Sequence, residues 1–266
     1  MRDPNTPSIT EAGSSATQTL NLNEIGLRYL AACQRTFDLA AYLVEGTRLV
    51  TERGYDEMAK SVHFHPHESE RRDFTAAKAE AEAYLLKNIL GEALGLVVPL
   101  LEDIRTFCAV AAWRFGPSGQ DTERLRTILT TERGDFLERD LIGKFEHLAT
   151  EHGVENPLTG TILALTKSGL CLAARAGIVG EHDVTSGGEL AFTLVALDVL
   201  PERQEGEIPV KLTPRVGELR RRFSIGDAIR VEKQDYLHIV STVAMFVTSM
   251  LHSVKLALKD KVPAGA

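Results

Sequence analysis

Residues 237–258, LHIVSTVAMFVTSMLHSVKLAL, have the clearest helical pattern of this chain. Their apolar side chains recur in alternating steps of three and four residues, which places them on one face of an α-helix. This face comprises Leu237, Val240, Ala244, Val247, Leu251, Val254 and Leu258. The apolar surface is widened beyond this stripe by Ile239, Val243, Phe246 and Met250. A helix with so much apolar surface has to be covered on two sides, either as the central helix of a bundle or, in part, by a second subunit.

The same helical periodicity runs through most of the chain. The predicted helices cover residues 23–54, 74–115, 121–131, 135–152 and 157–176. In the second of these, Gly91, Gly95 and Pro99 interrupt the pattern, and the missing backbone donor of Pro99 predicts a kink or a break. The sequence therefore predicts a bundle of several helices.

One stretch shows the period of a β-strand. Residues 222–231, RFSIGDAIRV, alternate apolar and polar side chains around Gly226 and Asp227, which predicts a small hairpin. Residues 191–200 fit a strand or a helix, and residues 201–214 are predicted to form a polar loop. We therefore predict a mainly all-α fold, a multi-helix bundle with at most one small β-hairpin near residues 222–231.

The domain organisation follows from composition. Residues 1–21 contain Pro, Gly, Ser and Thr and few apolar side chains, so we expect a flexible tail. Residues 22–266 are predicted to form a single helical domain. The turn-forming sequence at residues 116–120 marks a point at which this domain can divide into an N-terminal helical half and a C-terminal half.

The overall composition excludes several classes of protein. The chain has 266 residues, 44% of them hydrophobic, so it can bury a sizeable core. A net charge of −7 argues against a constitutive phosphate-binding surface. Cys33, Cys108 and Cys171 lie far apart without metal-ligand spacing, which predicts buried thiols in a reducing compartment.

The apolar segments of the sequence indicate neither a signal peptide nor a membrane-spanning helix. The first residues lack the apolar run of a signal peptide. The apolar segment 89–113 contains Glu102, Asp103 and Arg105, which would be costly in hydrocarbon. We expect a cytoplasmic protein that does not enter a membrane.

Charged clusters provide three candidate surfaces. Residues 121–139 interleave arginines with glutamates at helical spacing, which predicts a solvated helix face. Arg220, Arg221 and Arg222 are three adjacent cations that could contact the phosphates of a nucleic acid. The third cluster is a loop containing His63, His65 and His67.

These histidines have the chemistry of metal ligands, because alternate residues of an extended segment share a face. Pro66 makes a regular strand unfavourable there, and the rest of the sequence offers no second ligand motif. We interpret the segment as a surface loop, with a metal-dependent enzyme as a distant alternative, and we expect no metal and no cofactor.

The second half carries a family resemblance. A charged helix around Leu141 is followed by the run 169–179, GLCLAARAGIV, and later by the terminal apolar helix. Over about residues 135–258 this order resembles the larger members of the HEPN superfamily, helical proteins of prokaryotic toxin–antitoxin and defence systems. In that family the helix ends with Arg-Asn-Cys-Leu-Val-His, followed by Gly-Ile-Val, and the Arg and His of paired subunits cut RNA without a metal.

The resemblance implies that the catalytic pair is missing. With the Cys-Leu and Gly-Ile-Val elements aligned, Gly169 stands at the position of the catalytic Arg and Ala174 at that of the His. Neither side chain can transfer a proton. Arg175 and His182, with six residues between them, are the pair that could replace them.

Two functions follow as hypotheses. The first is a non-catalytic helical interaction or regulatory protein, a degenerate HEPN module that forms a homodimer through its terminal helix and binds a protein partner. The alternative is an active metal-independent endoribonuclease that uses Arg175 and His182, with RNA as its substrate.

Overall fold

A computed structural model describes residues 21–59, 73–116, 121–184, 187–202, 211–230 and 233–259. The predicted mainly α-helical fold with one small hairpin is confirmed. Its helices are α1 (Leu22–Leu49), α2 (Glu52–Ala59), α3 (Phe74–Leu94), α4 (Val97–Phe115), α5 (Thr122–Leu129), α6 (Thr131–Glu138), α7 (Leu141–His152), α8 (Thr159–Arg175) and α9 (Lys233–Leu258). Its strands are β1 (Glu189–Glu202) and β2 (Lys211–Ser224).

Helix α9 is the centre of the bundle. It packs against α1, α3, α4 and β1, so most of its apolar side chains are covered within one chain. Val240 and Val247 are buried as predicted, whereas Leu251 is only partly buried. Leu251 lies against Gly26 of α1, where a Cβ atom would collide with it. The glycine therefore allows α1 to approach α9 closely.

Acidic and amide side chains define where several helices begin. The backbone N–H of Asn23 donates to Asn21 Oδ1 at 2.9 Å, and that of Glu123 donates to Asp121 Oδ1 at 2.9 Å. Asp140 accepts from the Gly143 N–H at 2.7 Å and begins α7. Each cap satisfies a donor that has no partner within the helix. The cap at Asp140 explains why the predicted helix 135–152 is divided into α6 and α7.

The predicted interruption near Pro99 is a break between α3 and α4. The break itself lies at Gly95 and Leu96, and Pro99 occupies the first turn of α4. An amide hydrogen in the first turn has no acceptor within the helix, so proline is tolerated there. The proline thus helps to begin α4.

The position predicted for the hairpin is wrong. Strands β1 and β2 pair antiparallel, from Glu189 opposite Ser224 to Glu202 opposite Lys211. Residues 222–224 are therefore the end of β2, and the turn after them, with Gly226 at φ 90°, does not join two strands of a hairpin. Beyond the turn, Ala228 makes a single bridge to Ile178. The alternation of apolar and polar side chains that begins at residue 222 therefore belongs to the end of the longer strand β2.

Residues 191–200, which fitted either structure, belong to β1. Leu190, Phe192 and Leu194 share one face of this strand and are buried. The predicted polar loop 201–214 is also wrong in part, because residues 201–202 and 211–214 are paired in the ribbon. Residues 203–210 lie outside the described part of the chain.

The three cysteines are buried, and none forms a disulfide, as expected. Burial raises the pKa of the Cys33 thiol to about 11.

The predicted tail lies outside the described residues except for Asn21, and so do residues 117–120 of the dividing turn. The hydrophobic core contains residues from both sides of that turn.

One segment has the length and composition of a membrane span. It covers residues 234–258 of α9, and half of it is buried inside the bundle. The central helix of a folded domain has the same composition, so this feature does not by itself indicate a membrane.

The burial of α9 predicts a large cost for truncating Phe246. This ring is fully buried and meets Phe145 edge-on at 5.9 Å between centroids. We expect Phe246→Ala to lower the free energy of unfolding in urea by about 3 to 5 kcal/mol. The control Leu256→Ala, on the same helix but 57% exposed, should change it by less than about 0.5 kcal/mol. Similar small losses for both variants would contradict the central position of α9.

Candidate functional site

The end of α8 holds the first residue predicted to be catalytic. Arg175 is the last residue of the helix, and Ala176 and Gly177 follow with left-handed backbone angles, φ 50° and 84°. The Arg175 guanidinium donates to both carboxylate oxygens of Asp183. The Gly180 N–H donates to the same carboxylate at 2.8 Å. This ion pair ties the loop after α8 back to the helix end.

The ion pair also fixes the charge of Asp183. Burial alone would raise the pKa of its carboxyl, but the Gly180 N–H and the Arg175 guanidinium outweigh burial and lower the pKa below its ordinary value. The bond to Asp183 raises the pKa of Arg175. Both groups therefore stay charged across the physiological range, and neither is poised to exchange a proton.

The other residues of the predicted catalytic region are dispersed. His182 is exposed beside the buried Asp183, and the partner of Arg175 in this loop is Asp183. Gly169 is partly buried, and a Cβ atom there would lie 3.9 Å from Leu94 of α3. Ala174 is exposed. The positions aligned with the HEPN pair thus face a neighbouring helix and solvent, respectively.

The predicted cation triplet is divided between the two faces of β2. Arg221 donates to both carboxylate oxygens of Asp235 at 2.9 Å, and the Asp235 side chain is 1% exposed. Arg220 and Arg222 are exposed on the opposite face, where Arg222 lies 3.9 Å from Glu189. Only two of the three arginines can therefore meet one phosphate surface.

The predicted histidine loop lies outside the described residues, so the structure says nothing about His63, His65 and His67. Within the described ranges, no group of three or more His, Cys, Asp or Glu side chains is arranged to hold a metal ion.

A cavity that sequence reasoning missed lies between α4, α5, α6 and α7. Its volume is about 420 Å³. Its lining combines apolar, cationic and acidic side chains: Arg105, Ala109, Ala112, Trp113, Arg124, Ile128, Glu132, Asp135, Phe136, Arg139, His147, Glu151 and His152. Such a mixture of an apolar wall with a few charged groups is typical of sites for small ligands.

Arg105 is the unusual member of this lining, because its side chain is only 1% exposed. One guanidinium nitrogen, Nη2, donates to the Ile128 carbonyl at 2.8 Å, and Nη1 lies 3.8 Å from Glu132 Oε2. The third nitrogen, Nε, is buried without a hydrogen-bond partner in the described structure. Burial lowers the pKa of Arg105, against the opposing effect of Glu132 and Glu102.

Four rings form part of the cavity wall, those of Trp113, Phe136, His147 and His152. Burial, and then the charge of Arg139, lower the pKa of His147, so this imidazole is neutral at pH 7. The centroid of the His147 ring lies 5.4 Å from that of the Phe136 ring and 5.7 Å from that of the His152 ring. Trp113, the only tryptophan of the chain, donates its indole N–H to the Asp121 carbonyl at 2.8 Å.

The sequence held one signal for this cavity. Arg105 stands in a strongly apolar helix, and a charge there is expected to have a specific partner. The arginines of residues 121–139 were interpreted as a solvated face, and Arg126 is indeed exposed. Arg124 and Arg139 are exposed as well, and both also line the cavity.

The ion pair at the end of α8 predicts a pH-dependent loss of stability. We expect Asp183→Asn to lower the free energy of unfolding at pH 7 by about 1 to 3 kcal/mol, because it removes a buried, charge-assisted acceptor. The folded pKa of Asp183 is depressed, so this advantage is fully present above the unfolded value of about 4 and is lost as the pH falls through the folded value.

The measurement is urea unfolding of both proteins from neutral pH down to about pH 2. Glu181→Gln, an exposed carboxylate of the same loop, is the matched control and should follow the wild type. A difference between wild type and Asp183→Asn that persists unchanged at the acid end would contradict the assignment.

Comparison with known proteins returned no relative. The chain matches no family model, no curated protein and no solved structure. A function for it therefore has to come from its own surfaces and cavities.

Proposed function

We propose that this protein is a non-catalytic helical interaction protein that acts as a homodimer. One observation carries the proposal: α1 presents an apolar stripe to solvent along its second half. Leu39, Tyr42 and Leu49 are 54%, 79% and 75% exposed, and Leu43 and Val50 lie beside them. Exposed apolar patches of this kind mark interaction surfaces.

The stripe is distinct from the face that holds α1 in the bundle. The buried residues of α1 include Tyr29, Cys33, Ala40 and Val44, which pack into the core. The exposed side chains recur at steps of three, four and seven residues, as in a helix that pairs with another helix. Gly46 lies within this stripe, with open space where its Cβ atom would be.

A second copy of the chain is the partner that this surface fits first. Twofold pairing makes one stripe cover another and is the commonest way to close an apolar surface. A homodimer through the terminal helix was expected from the sequence, but most of the apolar side chains of α9 pack within one chain, so we place the contact on α1. A cytoplasmic location and a further protein partner remain part of the proposal.

The non-catalytic assignment rests on the region of α8. Arg175 is engaged by Asp183 and by the Ile178 carbonyl, which its Nε meets at 3.4 Å. Gly169 and Ala174 cannot transfer protons. These features support the proposal that the chain is a degenerate HEPN module that regulates or scaffolds a defence or toxin system.

The oligomeric state tests the proposed dimer. Light scattering at micromolar concentration should give twice the chain mass of 29.2 kDa. The double variant Tyr42→Glu with Leu49→Glu should give the chain mass, because it places charges in an apolar contact. The control Leu170→Glu, on α8 and similarly exposed, should remain dimeric. A wild-type mass of one chain, or a dimer that survives the double substitution, would overturn the proposal.

A nuclease assay separates the proposal from the ribonuclease alternative. Purified protein incubated with structured or single-stranded RNA in chelator should leave the RNA intact. Cleavage that Arg175→Ala or His182→Ala abolishes, while the exposed control Arg126→Ala retains it, would establish the ribonuclease instead.

A further inference from the structure

We propose that the cavity between α4, α5, α6 and α7 binds a small organic anion, with a phosphate or carboxylate held by its arginines and a planar apolar part against Trp113. The proposal is independent of whether the chain forms a dimer, because the residues that line the cavity all belong to one chain.

Among the described residues, the guanidinium of Arg105 lacks partners for some of its N–H donors. A guanidinium has five N–H donors in a planar fork. In this structure its firm contact is one backbone carbonyl, at 2.8 Å, and the nearest carboxylate oxygen in its ion pair lies at 3.8 Å. A buried charge with an unsatisfied Nε is costly unless something further compensates it.

The carboxylate of Glu132 is shared by two arginines. Glu132 accepts a hydrogen bond from Arg124, and it is also the partner of Arg105 at the longer distance. Two guanidiniums therefore meet one carboxylate at this wall, which leaves positive charge for an incoming anion. Arg139 lines the same cavity and makes no ion pair with any residue in the described ranges.

The acidic side chains of the cavity wall differ from Arg105 in their exposure to solvent. Three carboxylates line the cavity, as many as the arginines, so the net charge alone does not select an anion. Asp135 and Glu151 are exposed, however, as are Arg124 and Arg139, whereas Arg105 is buried. The charge that lacks solvent is positive, and electrostatic interactions are strongest there.

The apolar lining defines the rest of the ligand. Ala109, Ile128 and Phe136 are buried, and Trp113 is partly buried beside them. A volume of about 420 Å³ lies at the lower end of the range for small-molecule sites. A planar apolar group linked to one anionic group matches both the shape and the charges.

Trp113 makes the test direct, since the chain's only tryptophan lies in the wall of this cavity. The probes are AMP, benzoate and inorganic phosphate, each titrated into the full chain. We expect a saturable change in emission with AMP or benzoate, at lower concentration than with inorganic phosphate. AMP acting before benzoate assigns a phosphate ligand, and the reverse order assigns a carboxylate.

Variants of the arginines complete the test. Arg124→Gln and Arg139→Gln should each weaken the binding of the better probe at least about tenfold, the effect of losing a charge-assisted hydrogen bond. Arg126→Gln, on the same helix as Arg124 but outside the cavity, should bind as the wild type does. Arg105→Met should abolish binding, and if it does not fold, the other two variants decide.

Three outcomes would overturn the proposal. The first is a tryptophan emission that none of the three probes changes saturably. The second is an equal response to inorganic phosphate and to both organic probes, which would show that a planar apolar group of the ligand contributes nothing to binding. The third is binding that Arg124→Gln and Arg139→Gln leave unchanged.

Discussion

The structure depends on one constraint, the need to cover the apolar surface of α9 on several sides. Three helices of the N-terminal half, α1, α3 and α4, cover this surface together with β1. Gly26 lets α1 come close, and the buried rings of Phe246 and Phe145 fill the space on the side of α7. Burial of this kind is the dominant favourable contribution to folding.

The same constraint places the cavity. Helix α4 turns Val97, Leu100 and Ile104 to the core and packs against α9. Its adjacent face carries Arg105 towards α5, α6 and α7, which bury the guanidinium but give it one close hydrogen-bond acceptor, the Ile128 carbonyl. The cavity therefore forms at the side of the bundle where a core helix meets a charged cover.

The predictable part of the molecule is the part that periodicity encodes. The helical stripe of α9 and the break before α4 follow from spacing and from Pro99, because both express local geometry. The pairing of β1 with β2 was not predictable, since 191–200 is apolar enough for either structure and its partner lies across residues 203–210 in sequence. The pairing of Arg175 with Asp183 and the sharing of Glu132 by two arginines are tertiary contacts, for which the order of residues gives only the candidates.

Hydrogen exchange along α9 measures whether this helix is covered by its own chain or by a second subunit. If α9 is covered within one chain, its backbone amides between Val240 and Val254 should be the slowest to exchange in the protein, and their protection should not change when the protein is diluted. Protection of α9 that falls on dilution would show that a second subunit covers this helix and would contradict the account.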